Sequence, residues 1–104
     1  MNYKFDIDGT ILFSKLIGGV ADGEYEITGK DDELIEIINK LHTEGHVIII
    51  ETARHWRHLE KTRDHLFNAN VRYTTLVMGK PLADLYIDDK ALRPDEFKNK
   101  MRGK

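Results

Sequence analysis

The sequence predicts an α/β fold with a mainly parallel central sheet, and three observations carry that expectation. Short apolar runs alternate with amphipathic stretches in the order strand, flap, helix, strand, helix, strand, strand, helix. Val47, Ile48, Ile49 and Ile50 are apolar and β-branched at every position, as suits an inner strand covered by helices on both faces. Residues with chemical capability stand where apolar runs stop, at Asp6, Asp8, Thr52 and Asp88, and parallel α/β sheets bind ligands beyond the carboxyl ends of their strands.

Each element has a local reason. Asn2 to Ile7 alternates Tyr3, Phe5 and Ile7 against Lys4 and Asp6, which reads as the first strand. Phe13 to Thr28 reads as a turn and a loose hairpin or flap, because Gly18, Gly19 and Gly23 would waste backbone entropy inside a regular element. Asp31 or Asp32 caps a helix in which Leu34, Ile37, Ile38 and Leu41 form one apolar stripe, and Gly45 stops it. His46 to Glu51 is the central strand. Trp56 to Ala69 is the second helix, expected to turn Leu59, Leu66 and Phe67 inward, with Asn70 as a left-handed cap and Trp56 as a helix-anchoring core contact. Val71 to Met78 is the third strand and Ala83 to Ile87 a fourth, running into Asp88 and Asp89. Pro94, Asp95 and Glu96 open a last helix that runs to about Met101.

The totals narrow the field. A chain of 104 residues fits one domain, 1–104, with one core. With 40% hydrophobic and 33% charged residues it has the composition of a soluble globular protein. Sixteen basic residues against 18 acidic give a net charge of −2, so nothing global favours a polyanionic partner and nucleic acid is an unexpected one. Cysteine is absent, which excludes disulfides and thiolate metal sites. The longest apolar run, Val47 to Ile50, is too short to span a membrane, and the start lacks a secretory pattern, so the expected location is cytoplasmic.

The strand-end residues suit phosphoryl transfer. A phosphate monoester dianion repels an anionic nucleophile, so a carboxylate attacks it only when cations neutralise the charge. Asp6 and Asp88 offer oxygen ligands to Mg²⁺, Thr52 a hydroxyl and Lys80 an ammonium for phosphoryl oxygens, and Asp8 a general acid and base. Arg54, His55, Arg57 and His58 form a basic patch after Thr52, of which Arg54 and Arg57 are candidate contacts to an anionic substrate. His55 and His58 lack a third ligand at zinc spacing, and Gly18 and Gly19 lack the rest of a phosphate-cradling loop.

Taken in order, Phe5-Asp6-Ile7-Asp8-Gly9-Thr10, Ile50-Glu51-Thr52-Ala53-Arg54, Gly79-Lys80-Pro81 and Tyr86-Ile87-Asp88-Asp89-Lys90 resemble the four motifs of the haloacid dehalogenase superfamily of phosphohydrolases. The stretches around Thr52 and from Lys80 to Asp89 look closest to its small phage and capsular-polysaccharide-cluster members. The resemblance implies a Rossmann-like three-layer sandwich and an aspartyl-phosphate on Asp6, with Asp8 as acid then base. It implies Thr52 and Lys80 as phosphate binders and Mg²⁺ held by Asp6, the Asp8 main-chain carbonyl and Asp88, with Asp89 close by, binding metal through water or orienting Lys80. The gaps between motifs are too short for a cap domain, so the implied site is open, with a neighbouring subunit or a large substrate to close it. The expected substrate is a small phosphorylated metabolite such as a sugar phosphate. Two other readings compete: a receiver-like phospho-accepting module, which the late position of the Asp88-Asp89 pair disfavours, and a nucleic-acid 3′-phosphatase, which the near-neutral charge disfavours.

Overall fold

A computed structural model describes residues 1–18 and 23–103. Strand β1 (Asn2–Phe5) pairs in parallel with β4 (Val47–Glu51), and β4 in parallel with β5 (Thr75–Val77), giving a sheet of order β1-β4-β5. Phe5 lies opposite Ile50 and Glu51 opposite Val77, so the residues that follow all three strands emerge at the same end of the sheet. Both outer strands, β1 and β5, are edges among the described residues.

Between β1 and the first helix stands an antiparallel hairpin, β2 (Leu12–Ile17) and β3 (Glu24–Lys30), with a bulge between Phe13 and Ser14. The expected flap is therefore a regular two-stranded element, longer at each end than the sequence suggested. Gly19 lies outside the described residues.

Helix α1 (Asp32–Thr43) begins where the Asp31 carboxylate accepts the Leu34 backbone N–H at 3.0 Å, satisfying one of the donors left open at a helix start. Leu34, Ile35, Ile38 and Leu41 are buried, each contributing about 1.5–3 kcal/mol by leaving water. The chain turns out of α1 through Gly45 at φ 92°, a conformation that a Cβ would strain. In β4 only Ile48 and Ile50 are fully buried; Val47 and Ile49 are half-covered, so the strand is less enclosed than its unbroken apolar run suggests.

The segment from Trp56 begins as a 3₁₀ turn, Trp56–His58, and continues as α2 (Leu59–Asn68), closed by Asn70 at φ 60°. Leu66 and Thr62 are buried in it, Leu59 is half-buried, and Phe67 is 82% exposed. The inward placement expected for Phe67 is corrected: Leu66 and Ala69 reach the core, and Phe67 turns to solvent beside them. Trp56 is corrected too, being 64% exposed rather than a core anchor.

The fourth strand expected over Ala83 to Ile87 does not form. Residues 81–93 are all exposed, with Ile87 94% exposed. Tyr86 folds the stretch on itself: its hydroxyl donates to the Pro81 carbonyl at 2.8 Å and accepts from the Ala83 N–H at 3.0 Å. The final helix α3 (Pro94–Arg102) packs back on α1 and β1, where Phe97 meets Tyr3 and Phe5 edge-on or tilted. Lys98 pairs with Asp31 at 2.7 Å and Arg102 with Glu33 at 2.6 Å.

Candidate functional site

The chain leaves β1 through a turn gathered on one carbonyl. The Ile7 oxygen accepts from the N–H groups of Thr10, Ile11 and Leu12 at 3.0, 2.9 and 3.1 Å, and the Gly9 N–H donates to the Leu12 carbonyl at 2.9 Å. Gly9 sits at φ 83°, so the turn needs glycine there. Ile7 and Ile11 are fully buried and anchor the loop, which leaves Asp6 and Asp8 half-buried at its mouth.

The two carboxylates have opposite surroundings. Burial raises the pKa of Asp6; a hydrogen bond from the Ile7 backbone and the Lys80 charge oppose it, and the Asp8 and Glu51 charges reinforce it. Burial also pushes Asp8 up, but hydrogen bonds from Arg54 and Ser14 together with the Arg54 charge outweigh it and hold Asp8 below the usual carboxylate range.

Arg54 is the hub of that difference. Its Nε donates to Asp8 Oδ2 at 2.9 Å and its Nη2 to Asp8 Oδ1 at 2.8 Å, a bidentate pair. Nη1 donates to Thr62 Oγ1 at 3.1 Å and meets His65 Nδ1 at 3.0 Å. Because the guanidinium only donates, His65 Nδ1 accepts and the ring carries its proton on Nε2. Burial, then the Arg54 charge, pushes the His65 pKa down, consistent with that neutral ring. The Tyr25 ring of β3 covers the guanidinium at 4.2 Å, and Ser14 of β2 donates to Asp8 Oδ1 at 2.6 Å. The hairpin is thereby tied to the site by both strands.

This arrangement corrects the expectation for Arg54 as a substrate contact. The donors of its guanidinium are directed at Asp8, Thr62 and His65, so they are taken up by the protein itself. Arg57, the other candidate, is exposed on the 3₁₀ turn.

Thr52 and Lys80 are brought together. The Thr52 N–H donates to the Val77 carbonyl at 2.9 Å, and the Lys80 N–H donates to the Thr52 carbonyl at 2.8 Å. Thr52 Oγ1 accepts from the Arg54 N–H at 3.2 Å, which leaves the hydroxyl's own proton for another acceptor. The Gly79 N–H donates to the Arg54 carbonyl at 3.0 Å, fixing the loop that carries Lys80. Lys80 Nζ lies 4.1 Å from the centre of the Tyr86 ring. Glu51, next to Thr52, pairs with Lys4 at 3.1 Å.

Asp88 and Asp89 stand in the exposed 81–93 segment. Asp88 Oδ1 accepts the Lys90 N–H at 2.9 Å, and that bond, then one with Asp89, lowers its pKa. Among the described residues no three His, Cys, Asp or Glu side chains gather in a group that could hold a metal ion, so Asp88 and Asp89 are not joined with Asp6 into one. The donor chemistry at Asp6 fits magnesium nonetheless. Its carboxylate is half-buried at a cost that a hard cation would offset, and Mg²⁺ takes one or two carboxylates while keeping several waters.

No family model matches the chain, and a search of curated proteins finds no match. A solved structure does match. It is the crystal structure of an MCSG target from Vibrio cholerae, 29% identical, covering 93% of this chain and 86% of its own, with a TM-score of 0.66. The likeness supports a small α/β protein with a three-stranded parallel sheet and three helices.

Sequence reasoning missed Ser14, Tyr25, Thr62 and His65. Thr62 and His65 are three apart on α2 and so share a face, a signal available in the sequence. Ser14 and Tyr25 gave none, because only the fold shows that the hairpin lies over Arg54.

Proposed function

We propose that the chain is a magnesium-dependent phosphomonoester phosphatase of the haloacid dehalogenase type, with a Rossmann-like core and no cap domain, acting through an aspartyl-phosphate on Asp6. The observation that carries this reading is the pair of unlike carboxylates at the β1 exit: burial raises Asp6, while Asp8 is locked to Arg54 by two hydrogen bonds and lowered. Two aspartates of a structural turn have no need of such different environments, whereas a nucleophile and a proton-handling group do.

Asp6 attacks phosphorus, the bond to the ester oxygen breaks, that oxygen leaves as the alcohol with a proton from Asp8, and the phosphoryl group resides on the Asp6 carboxylate. Thr52 donates its hydroxyl proton to a phosphoryl oxygen, and Lys80 supplies positive charge to the same group. Magnesium held by Asp6 and the Asp8 carbonyl would supply the remaining charge neutralisation, and Asp88 is the further carboxylate this reading assigns to it. Asp8, kept ionised by Arg54, is prepared to take a proton from the water that releases phosphate. To act first as an acid, Asp8 takes up a proton against the Arg54 charge and passes it to the departing ester oxygen, the proton that an alkyl leaving group such as a sugar requires.

Among the described residues only the hairpin stands between the first turn and α1, which supports reading the site as capless and open. The substrate we propose is a small phosphorylated metabolite, such as a sugar phosphate in the cytoplasm, with a second subunit to cover the site. The test is release of p-nitrophenol from its phosphate with Mg²⁺. Wild type turns over and Asp6→Asn loses at least about 10³-fold, more than removal of one charge-stabilising donor costs. Equal rates would remove Asp6 as nucleophile.

A further inference from the structure

Trp56 is a large apolar side chain left mostly in water at the edge of the proposed site. The chain contains one tryptophan, and it is 64% exposed on the 3₁₀ turn directly after the buried residues Thr52 and Arg54. Its indole lies against the loop that carries Lys80: a Cβ on Gly79 would come within 3.9 Å of Trp56 Nε1, and Gly79 itself sits at φ 76°. That loop is bonded to the Thr52 and Arg54 carbonyls at 2.8 and 3.0 Å, so the surface on which the indole rests is held beside Thr52. Beyond Lys80 stands a second exposed ring, Tyr86, 52% exposed and under the Lys80 ammonium. One exposed ring thus lies at the Lys80 ammonium and the other against Gly79, the residue before it.

We propose that Trp56 is a specificity-determining residue that stacks on the leaving group, and that the site takes phosphate monoesters whose leaving group offers a flat ring face, a nucleobase or a pyranose. This rests on the phosphatase reading and adds the substrate class to it. A ring on that surface meets the part of the substrate next to the ester. Aromatic faces stack on bases and on the C–H faces of sugars with little demand for a particular hydrogen-bond pattern. An acyclic phosphate gains phosphate contacts alone.

The single tryptophan makes the contact directly observable. Asp6→Asn protein with Mg²⁺ is titrated with adenosine 5′-monophosphate, glucose 6-phosphate, glycerol 2-phosphate and inorganic phosphate, following tryptophan fluorescence and, in parallel, calorimetric heat. The expected result is a fluorescence change with a ring-bearing ester and about tenfold tighter binding of it than of glycerol 2-phosphate, a ratio that Trp56→Leu abolishes. The nucleotide and sugar arms decide which ring is preferred. Ring-bearing esters that bind without changing the fluorescence, or an unaltered ratio in Trp56→Leu, overturn the inference. The phosphatase reading is tested apart from it by acetyl phosphate, which has no ring: Asp6-dependent hydrolysis keeps that reading whatever Trp56 does, and no hydrolysis removes it while the binding ratio still decides the role of Trp56.

Discussion

At the scale of single residues, two aspartates one strand repeat apart differ because a single guanidinium reaches only one of them. Burial raises the Asp6 pKa, so protonation of its carboxyl favours the folded state. In magnesium-free buffer Asp6→Asn therefore unfolds at a higher temperature than wild type near neutrality. The gap closes as pH falls through the raised pKa, because wild-type Asp6 is then neutral as well; thermal melts across the carboxylate range check this. Asp8 behaves in the opposite sense. Its lowered pKa gives stability that is present above the ordinary carboxylate value and lost as pH falls through the lowered one. Arg54→Ala removes its partner and leaves a cavity, and denaturant melts should show a loss somewhat below the ~3–5 kcal/mol of a fully buried broken pair, since Asp8 is 32% exposed. Adding Asp8→Asn to Arg54→Ala should cost little more, because the charge left unpaired is then gone. The sequence made Asp6, Asp8, Thr52 and Lys80 legible as a set through their order along the chain. It could not show that Arg54 points inward, because an arginine after a strand reads as basic whether it faces water or a carboxylate.

Among the elements, α1 was the most legible, since its capping aspartate, apolar stripe and terminal glycine all agree. Helix α2 was harder. Leu66 and Phe67 are adjacent and both apolar, and periodicity does not say which takes the core when the helix begins three residues late, after a 3₁₀ turn at Trp56–His58. The structure sends Leu66 in and Phe67 out. Leu66→Ala should therefore lose about 2–5 kcal/mol of unfolding free energy, while Phe67→Ser stays within about 0.5 kcal/mol of wild type; a reversed order in chemical denaturation would contradict the placement. The Ala83–Ile87 stretch has the residue types of a strand, yet it lies in solvent because Tyr86 holds it to Pro81 and Ala83. Strand propensity describes a fit to a neighbour, and among the described residues no strand pairs with this stretch.

For the whole molecule, three parallel strands end together and deliver Asp6, Thr52 and the loop to Lys80 to one side of the sheet, while the hairpin closes over Arg54 from another direction. Leu82, Leu85 and Ile87 are exposed in the stretch that leads directly to Asp88. What sequence order could not convey is that the last acidic pair remains in the exposed segment while the first is built into the fold. The central claim is that Asp6 carries the phosphoryl group, and the most direct measurement is on the protein itself. Asp8→Asn, which should form the aspartyl-phosphate and release it slowly, is mixed with Mg²⁺ and an aryl phosphate, quenched in acid and digested for peptide mass analysis. The account predicts a phosphoryl group on the peptide bearing Asp6, absent when Asp6→Asn is added. Wild-type turnover with no phosphoryl group on that peptide, or a group carried elsewhere, would contradict it.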